Sequence, residues 1–200
     1  VKPLLGIETY MAARTLHDKD PAHDRARYHL ILIAMNEAGV HNVMKLSTIA
    51  NLEGFYYYPR IDRETLQKHS DGVIVLSGCM GSELGSALKD GRDVDARAVA
   101  QWYKEVFGDR YYFEVQDHGH PDNPLHSDEQ YIINQQIIAL GKELGIPCVV
   151  TSDAHYLKHE DQEAHEVLLC VGTGSFLSDT NRMSLRDYPL HVEDPVEIIK

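Results

Sequence analysis

The sequence predicts an α/β fold, on three observations. Short apolar, β-rich runs alternate with helix-like stretches along the chain. Those runs are near-continuously apolar, as strands covered on both faces should be. Polar side chains able to bind a ligand follow several of them, which favours closure of the sheet into a barrel with its site at the strand C-termini.

Five strands are expected, at Leu4–Tyr10, His29–Met35, Val73–Ser77, Tyr111–Val115 and Cys148–Thr151. Between them, apolar residues recur at helical spacing over Glu37–Leu52, Arg63–His69, Val94–Phe107, Asp128–Leu144 and Asp161–Val171. Ser70-Asp71-Gly72, Lys89-Asp90-Gly91 and Gly145-Ile146-Pro147 punctuate the elements as turns. Strands alternating with helices imply a parallel sheet with crossover helices. Five strands are too few to close a barrel of seven or eight, so the opening strands are expected upstream. Val1-Lys2-Pro3-Leu4-Leu5-Gly6 has no initiator Met and reads as the lead into a strand, which fits a start inside a larger protein. Residues 1–174 are expected to form the barrel portion. From about Ser175 the strand–helix rhythm stops, and 175–200 reads as an extended exit toward a further domain.

Two hundred residues suffice for one domain with a full core. No apolar run approaches the roughly 20 residues of a membrane helix, and no secretory signal opens the chain. Three widely spaced cysteines, an odd number, argue against a disulfide framework and for a reducing cytoplasm. A net charge of −12 argues against gripping DNA without help, because non-specific DNA binding comes mainly from Lys and Arg. Bound divalent cations can reverse that logic locally. Twelve histidines are many for this length and point to metal chemistry.

The strongest local signal is Cys148-Val149-Val150-Thr151-Ser152-Asp153-Ala154-His155, a buried strand ending in an Asp-x-His pair. Strand alternation would put Asp153 and His155 on one face, and a carboxylate with an imidazole suits zinc or manganese. A turn Asp followed by a surface His explains the same residues. Glu8, in an apolar strand, is costly to bury unless paired or metal-bound; it could instead face solvent. His29 and Cys79 flank apolar runs, where each could be a ligand or a structural residue. Glu114, Asp117, His118 and His120 follow the fourth strand as further candidates. His29 sits at the start of its strand. It returns beside Glu8 only if the first two strands are antiparallel, and lies at the wrong end if they are parallel.

Phe55-Tyr56-Tyr57-Tyr58-Pro59-Arg60 can be read as base stacking plus a phosphate-binding Arg60, or as a packed loop with its hydroxyls satisfied locally. His165 precedes apolar residues on a helix and should pack or cap. Ser77 and Ser82 have no evident His–Asp partners, so no nucleophilic triad is expected.

In order, Gly-x-Glu, Tyr-His-Leu, Ser-Gly-Cys, Asp-His-Gly and Asp-x-His resemble the polymerase and histidinol phosphatase (PHP) domain, in the form carried by bacterial DNA polymerase III alpha subunits. The resemblance includes Lys2-Pro3-Leu4-Leu5-Gly6-Ile7-Glu8, Glu53–Asp62, Leu76-Ser77-Gly78-Cys79, Phe107-Gly108-Asp109-Arg110, Gln116-Asp117-His118-Gly119 and Ala164–Cys170. It covers nearly the whole chain. It implies a distorted seven-stranded, TIM-like β/α barrel with up to three divalent cations, zinc or manganese. Glu8 would be a bridging carboxylate, with His29 and Cys79 completing one site, Asp153 serving a second and His155 a third. The family's N-terminal His-x-His and further ligands are absent from this chain, so fewer cations and an inactive fragment are expected. His118 and Arg60 are candidates for substrate contact.

The implied activity is metal-dependent hydrolysis at a DNA 3′ end, a 3′-5′ exonuclease within a DNA-replicating polymerase. DNA and other replicase subunits are the implied partners, with no membrane. A non-catalytic domain that stabilises the polymerase or docks a proofreading subunit is the rival, and a free-standing phosphatase is a third reading.

Overall fold

The computed structural model describes residues 3–116, 128–186, 188 and 190–194. Its strands are β1 (Gly6–Ala12), β2 (Arg27–Ala34), β3 (Val73–Leu76), β4 (Tyr111–Gln116) and β5 (Cys148–Thr151). Its helices are α1 (Glu37–Leu52), α2 (Arg63–Lys68), α3 (Glu83–Lys89), α4 (Asp93–Phe107), α5 (Asp128–Leu144) and α6 (Gln162–Thr173). The fold is therefore α/β. All five strands join one sheet in the order β1-β2-β3-β4-β5.

The strand–helix rhythm implied a parallel sheet, with the direction of the first two strands left open; the sheet is mixed. β1 pairs antiparallel with β2 and β2 antiparallel with β3, while β3 and β4 are parallel. A parallel crossover normally needs a helix, and residues 13–26 between β1 and β2 contain only turns and bends. Between β2 and β3 lie two helices, α1 and α2. The chain between those helices touches the outer edge of β1 through a parallel bridge from Met11 to Ile61. That detour replaces the single crossover helix and lets β3 enter from the opposite end.

Nor are β1 and β2 covered on both faces. Thr9, Met11, Leu30 and Leu32 are buried, whereas Glu8, Tyr10, His29 and Ile31 are wholly or partly exposed. The apolar runs hid a period-two pattern, because Ile and Tyr occupy positions on the open face. Polar Arg27 and Tyr28 also belong to β2, opposite Ala12 and Met11, so His29 is the strand's third residue. Leu4 and Leu5, expected in β1, precede it and are exposed.

By chain contacts the protein divides into two units, one of residues 1–115 and 135–149, the other of 116–134 and 150–200. In the first, α4 buries Ala96, Ala100, Tyr103 and Phe107, a stripe at helical spacing. Tyr103 stacks on Tyr111 at 5.1 Å between ring centres, and Tyr111 meets Phe113 edge-on at 5.6 Å. These offset and edge contacts are the favoured aromatic geometries. Helix starts carry side-chain caps: Asn36 accepts from the Gly39 amide, Asp62 from Thr65 and Ser82 from Gly85.

In the second unit, α6 buries Glu166 completely. Its carboxylate accepts from the Arg182 guanidinium at 2.6 Å, the Ser184 hydroxyl at 2.8 Å and the Leu185 amide at 2.8 Å. These bonds fasten a segment that otherwise has only turns and bends over 175–186. Among the described residues, no helix is long and apolar enough to cross a membrane. Cys79, Cys148 and Cys170 are all free thiols.

Candidate metal centre

In the β1–β2 ladder Glu8 lies opposite Ile31 and Tyr10 opposite His29. Directly opposed residues share a face, as do residues two apart on one strand. Glu8, Tyr10, Arg27 and His29 therefore all project from the open face. The antiparallel pairing settles the difficulty posed by His29, which comes back beside Glu8. Its ring Nδ1 contacts Glu8 Oε1 directly.

Cys79 reaches the same imidazole from the loop after β3. Gly78 adopts φ +81, and a Cβ there would lie 2.8 Å from the His29 carbonyl oxygen. Only glycine allows the loop this close. The His29 amide then donates to the Gly81 carbonyl at 3.1 Å, and the Gly81 amide donates to Cys79 Sγ at 3.4 Å. Beneath the loop, buried Glu114 accepts from the Gly78 amide at 3.1 Å, while its own amide donates to Ser77 Oγ at 2.8 Å. Hydrogen bonds to Cys79 and then to Glu8 push His29 up to about 10. This geometry, with the ring between a thiol and a carboxylate, favours the charged form of His29.

Asp153 and His155 belong to the second unit. β5 is neither buried nor continued to them: Val150 is 48% exposed and the strand ends at Thr151. Asp153 takes φ 49, so strand alternation does not govern where the pair points. Asp is one of the few residues that tolerate this left-handed conformation. The His155 ring Nδ1 donates to the Asp153 carbonyl at 2.6 Å, since a carbonyl can only accept. Nε2 is the nitrogen left to meet a cation, and anchoring the opposite nitrogen is how metal-binding histidines are commonly oriented. The His165 ring packs 5.5 Å from His155 and 5.2 Å from Tyr156, centre to centre.

Arg60 is turned inward. It is 1% exposed, and its guanidinium donates to the carbonyls of Asp24 at 3.0 Å, Asp18 at 3.1 Å and Gly54 at 3.2 Å. Its donors meet the protein's own backbone, whereas Phe55, Tyr57 and Tyr58 are exposed. Asp117, His118 and His120 lie outside the described residues.

Carboxylate, imidazole and thiol are donor types for a borderline cation such as zinc. Glu8, His29 and Cys79 therefore fit a cation in chemistry. Among the described residues, however, no group of three or more His, Cys, Asp or Glu is disposed to hold one as it stands. The trio is closed by its own hydrogen bonds.

Comparison with known proteins gives a consistent picture. The sequence model of the PHP domain matches residues 1–118. The chain is 38% identical over 200 residues to a Borreliella burgdorferi protein named DNA polymerase III subunit alpha, covering 99% of this chain and 17% of that one. Proteins of the same name from Deinococcus radiodurans and Treponema pallidum are 45% and 42% identical over 186 and 188 residues, covering 91% and 93% of this chain. The chain spans 13% and 16% of those two relatives.

Proposed function

Because the chain belongs to the PHP domain family, we propose that it is the PHP segment of a bacterial DNA polymerase III alpha subunit and works in DNA replication in the cytoplasm. Relatives so named match along nearly the whole chain, which supports the reading. In it, residues 1–174 are the later part of a distorted seven-stranded β/α barrel, and 175–200 lead toward the next domain. Polymerisation, and contacts with other replicase subunits, belong to the parent protein.

The activity proposed for the complete domain is metal-dependent 3′-5′ exonuclease cleavage of DNA. Glu8, His29 and Cys79 would hold one zinc or manganese ion, and Asp153 and His155 would serve as ligands to others. A bound cation supplies Lewis acidity: it lowers the pKa of water to about 7 and offsets phosphodiester charge. The chain's residues do the positioning. Glu8 orients the His29 ring through Nδ1. The Gly81 amide steers the Cys79 sulfur, and Glu114 fixes the turn that carries it. The observation that carries this reading is the meeting of a carboxylate, an imidazole and a thiol across one open sheet face.

The test restores the upstream segment and assays 3′-end degradation with zinc or manganese. Asp153→Asn should slow degradation ~100-fold, in line with the loss expected when a metal site is perturbed. Wild-type degradation no faster than the variant's, with metal still bound, would leave the second reading, a structural domain. That alternative is favoured by the hydrogen bonds that already close the trio around His29.

A further inference from the structure

The open sheet face continues past His29 into a cluster the metal reading does not use. Arg27 projects from that face two residues away, about 7 Å along the strand. Its guanidinium carbon lies 3.7 Å from the Tyr58 ring centre and 5.1 Å from that of Tyr10. Tyr10 in turn meets His29 edge-on at 5.1 Å. Arg25 sits 5.6 Å from the Tyr57 ring centre, and these two arginines with Tyr57 and Tyr58 line a cavity of about 280 Å³.

Two features mark this cavity as more than packing. Tyr57 holds φ 61, which is unusual for a bulky residue and costs roughly 1–3 kcal/mol. The Tyr56 amide closes this tight turn onto the Tyr58 carbonyl at 3.0 Å, and Tyr57 is left 60% exposed. The chain thus spends strain to present an aromatic ring to solvent. Second, Arg27 Nε is shielded from solvent yet has no hydrogen-bond partner among the described residues. The nearby carboxylate of Asp24 does not neutralise the patch, because Arg14 engages both its oxygens at 2.9 and 2.6 Å.

We propose that Arg25, Arg27, Tyr57 and Tyr58 form a docking site for single-stranded nucleic acid, with a base stacked on Tyr57 and a phosphodiester held by Arg25 and Arg27. Exposed aromatics beside cations are how proteins hold single strands without reading sequence. A duplex offers no free base face, so a single strand is the partner that fits. The net charge of −12 opposes a polyanion, so affinity for a strand must come from local contacts such as these and be weak. As a substrate subsite the patch rests on the phosphodiesterase reading above; as a binding site it does not.

The experiment measures binding of a fluorescent oligothymidylate to the full 200-residue chain at low salt with EDTA present. Tyr57→Ala should weaken binding ~10-fold, the scale of one base–aromatic stack, while Tyr57→Phe stays within ~2-fold. Arg25→Ala should lower the slope of log affinity against log salt by about 0.7, one phosphate contact. An abasic strand of equal charge should bind wild type ~10-fold more weakly than the thymidylate and ignore Tyr57→Ala. No binding by wild type, or equal binding by Tyr57→Ala and Arg25→Ala, would overturn the site. So would displacement by polyglutamate that is as effective as displacement by the oligonucleotide. Failure of the metal-dependent degradation assay leaves these EDTA measurements intact, so the two proposals fail separately.

Discussion

Arg60 and Glu166 are charges that the chain has taken out of water and satisfied completely. For Arg60 the partners are backbone carbonyls at Gly54, Asp24 and Asp18. Arg60→Ala leaves those acceptors dry and should cost about 3 kcal/mol, read as a shift in urea midpoint. Arg60→Lys should rescue little, because one ammonium cannot reach what a planar fork spans. Glu166 has a different consequence. Burial alone would push its carboxyl up, but the Leu185 amide, the Ser184 hydroxyl and Arg182 together bring it down to about 2. A depressed folded-state value contributes stability above the ordinary value of 4.5, and that contribution is lost as pH falls toward about 2. Glu166→Gln strands the Arg182 charge and should cost about 3 kcal/mol at neutral pH. The gap between wild type and variant, measured by denaturation across pH, should hold above 4.5 and close between there and 2. A gap that does not vary with pH would refute the assignment.

At the scale of elements, α3 decides where Cys79 sits. A Cβ on Gly85 would lie 2.6 Å from the Cys79 carbonyl and 2.8 Å from Met80 Cα. Gly→Ala inside an exposed helix normally gains roughly 1 kcal/mol. Here the backbone clash wins, and Gly85→Ala should destabilise by about 1–3 kcal/mol and weaken metal binding with it. A stabilised variant would show that α3 does not press on the loop. The sequence reading assigns this helix no range, although it places the turn Lys89-Asp90-Gly91 after a helix. Among the described helices, the long ones, α1, α4, α5 and α6, were legible because their apolar stripes are long enough to show a period. Strand positions could be read from their apolar, β-rich runs, but their direction could not, since pairing depends on connections that carry no such signal. The metal candidates were legible by residue type and order, and the Glu8–His29 contact became certain only with the antiparallel register. Arg60 illustrates the limit. It stands beside the tyrosines in sequence and behind them in space, while Arg25 and Arg27, thirty residues upstream, supply the surface cations.

For the molecule as a whole, the chain spans 17%, 13% and 16% of the length of the three relatives it matches. The five candidate ligands lie in both units, with Glu8, His29 and Cys79 in one and Asp153 and His155 in the other. Because no group of three or more ligand side chains is disposed to hold a cation among the described residues, the 200 residues should bind fewer than three equivalents of zinc or manganese in equilibrium dialysis. Stoichiometric binding of three would refute that expectation. The most direct test of the metal centre uses cobalt, whose bond to a thiolate gives a charge-transfer absorption that carboxylate and imidazole ligands do not. All three cysteines are free, so each can be replaced in turn. The account predicts that the band forms on cobalt titration, disappears in Cys79→Ser, and survives in Cys148→Ser and Cys170→Ser. A cobalt complex without the band, or a band indifferent to Cys79→Ser, would contradict it.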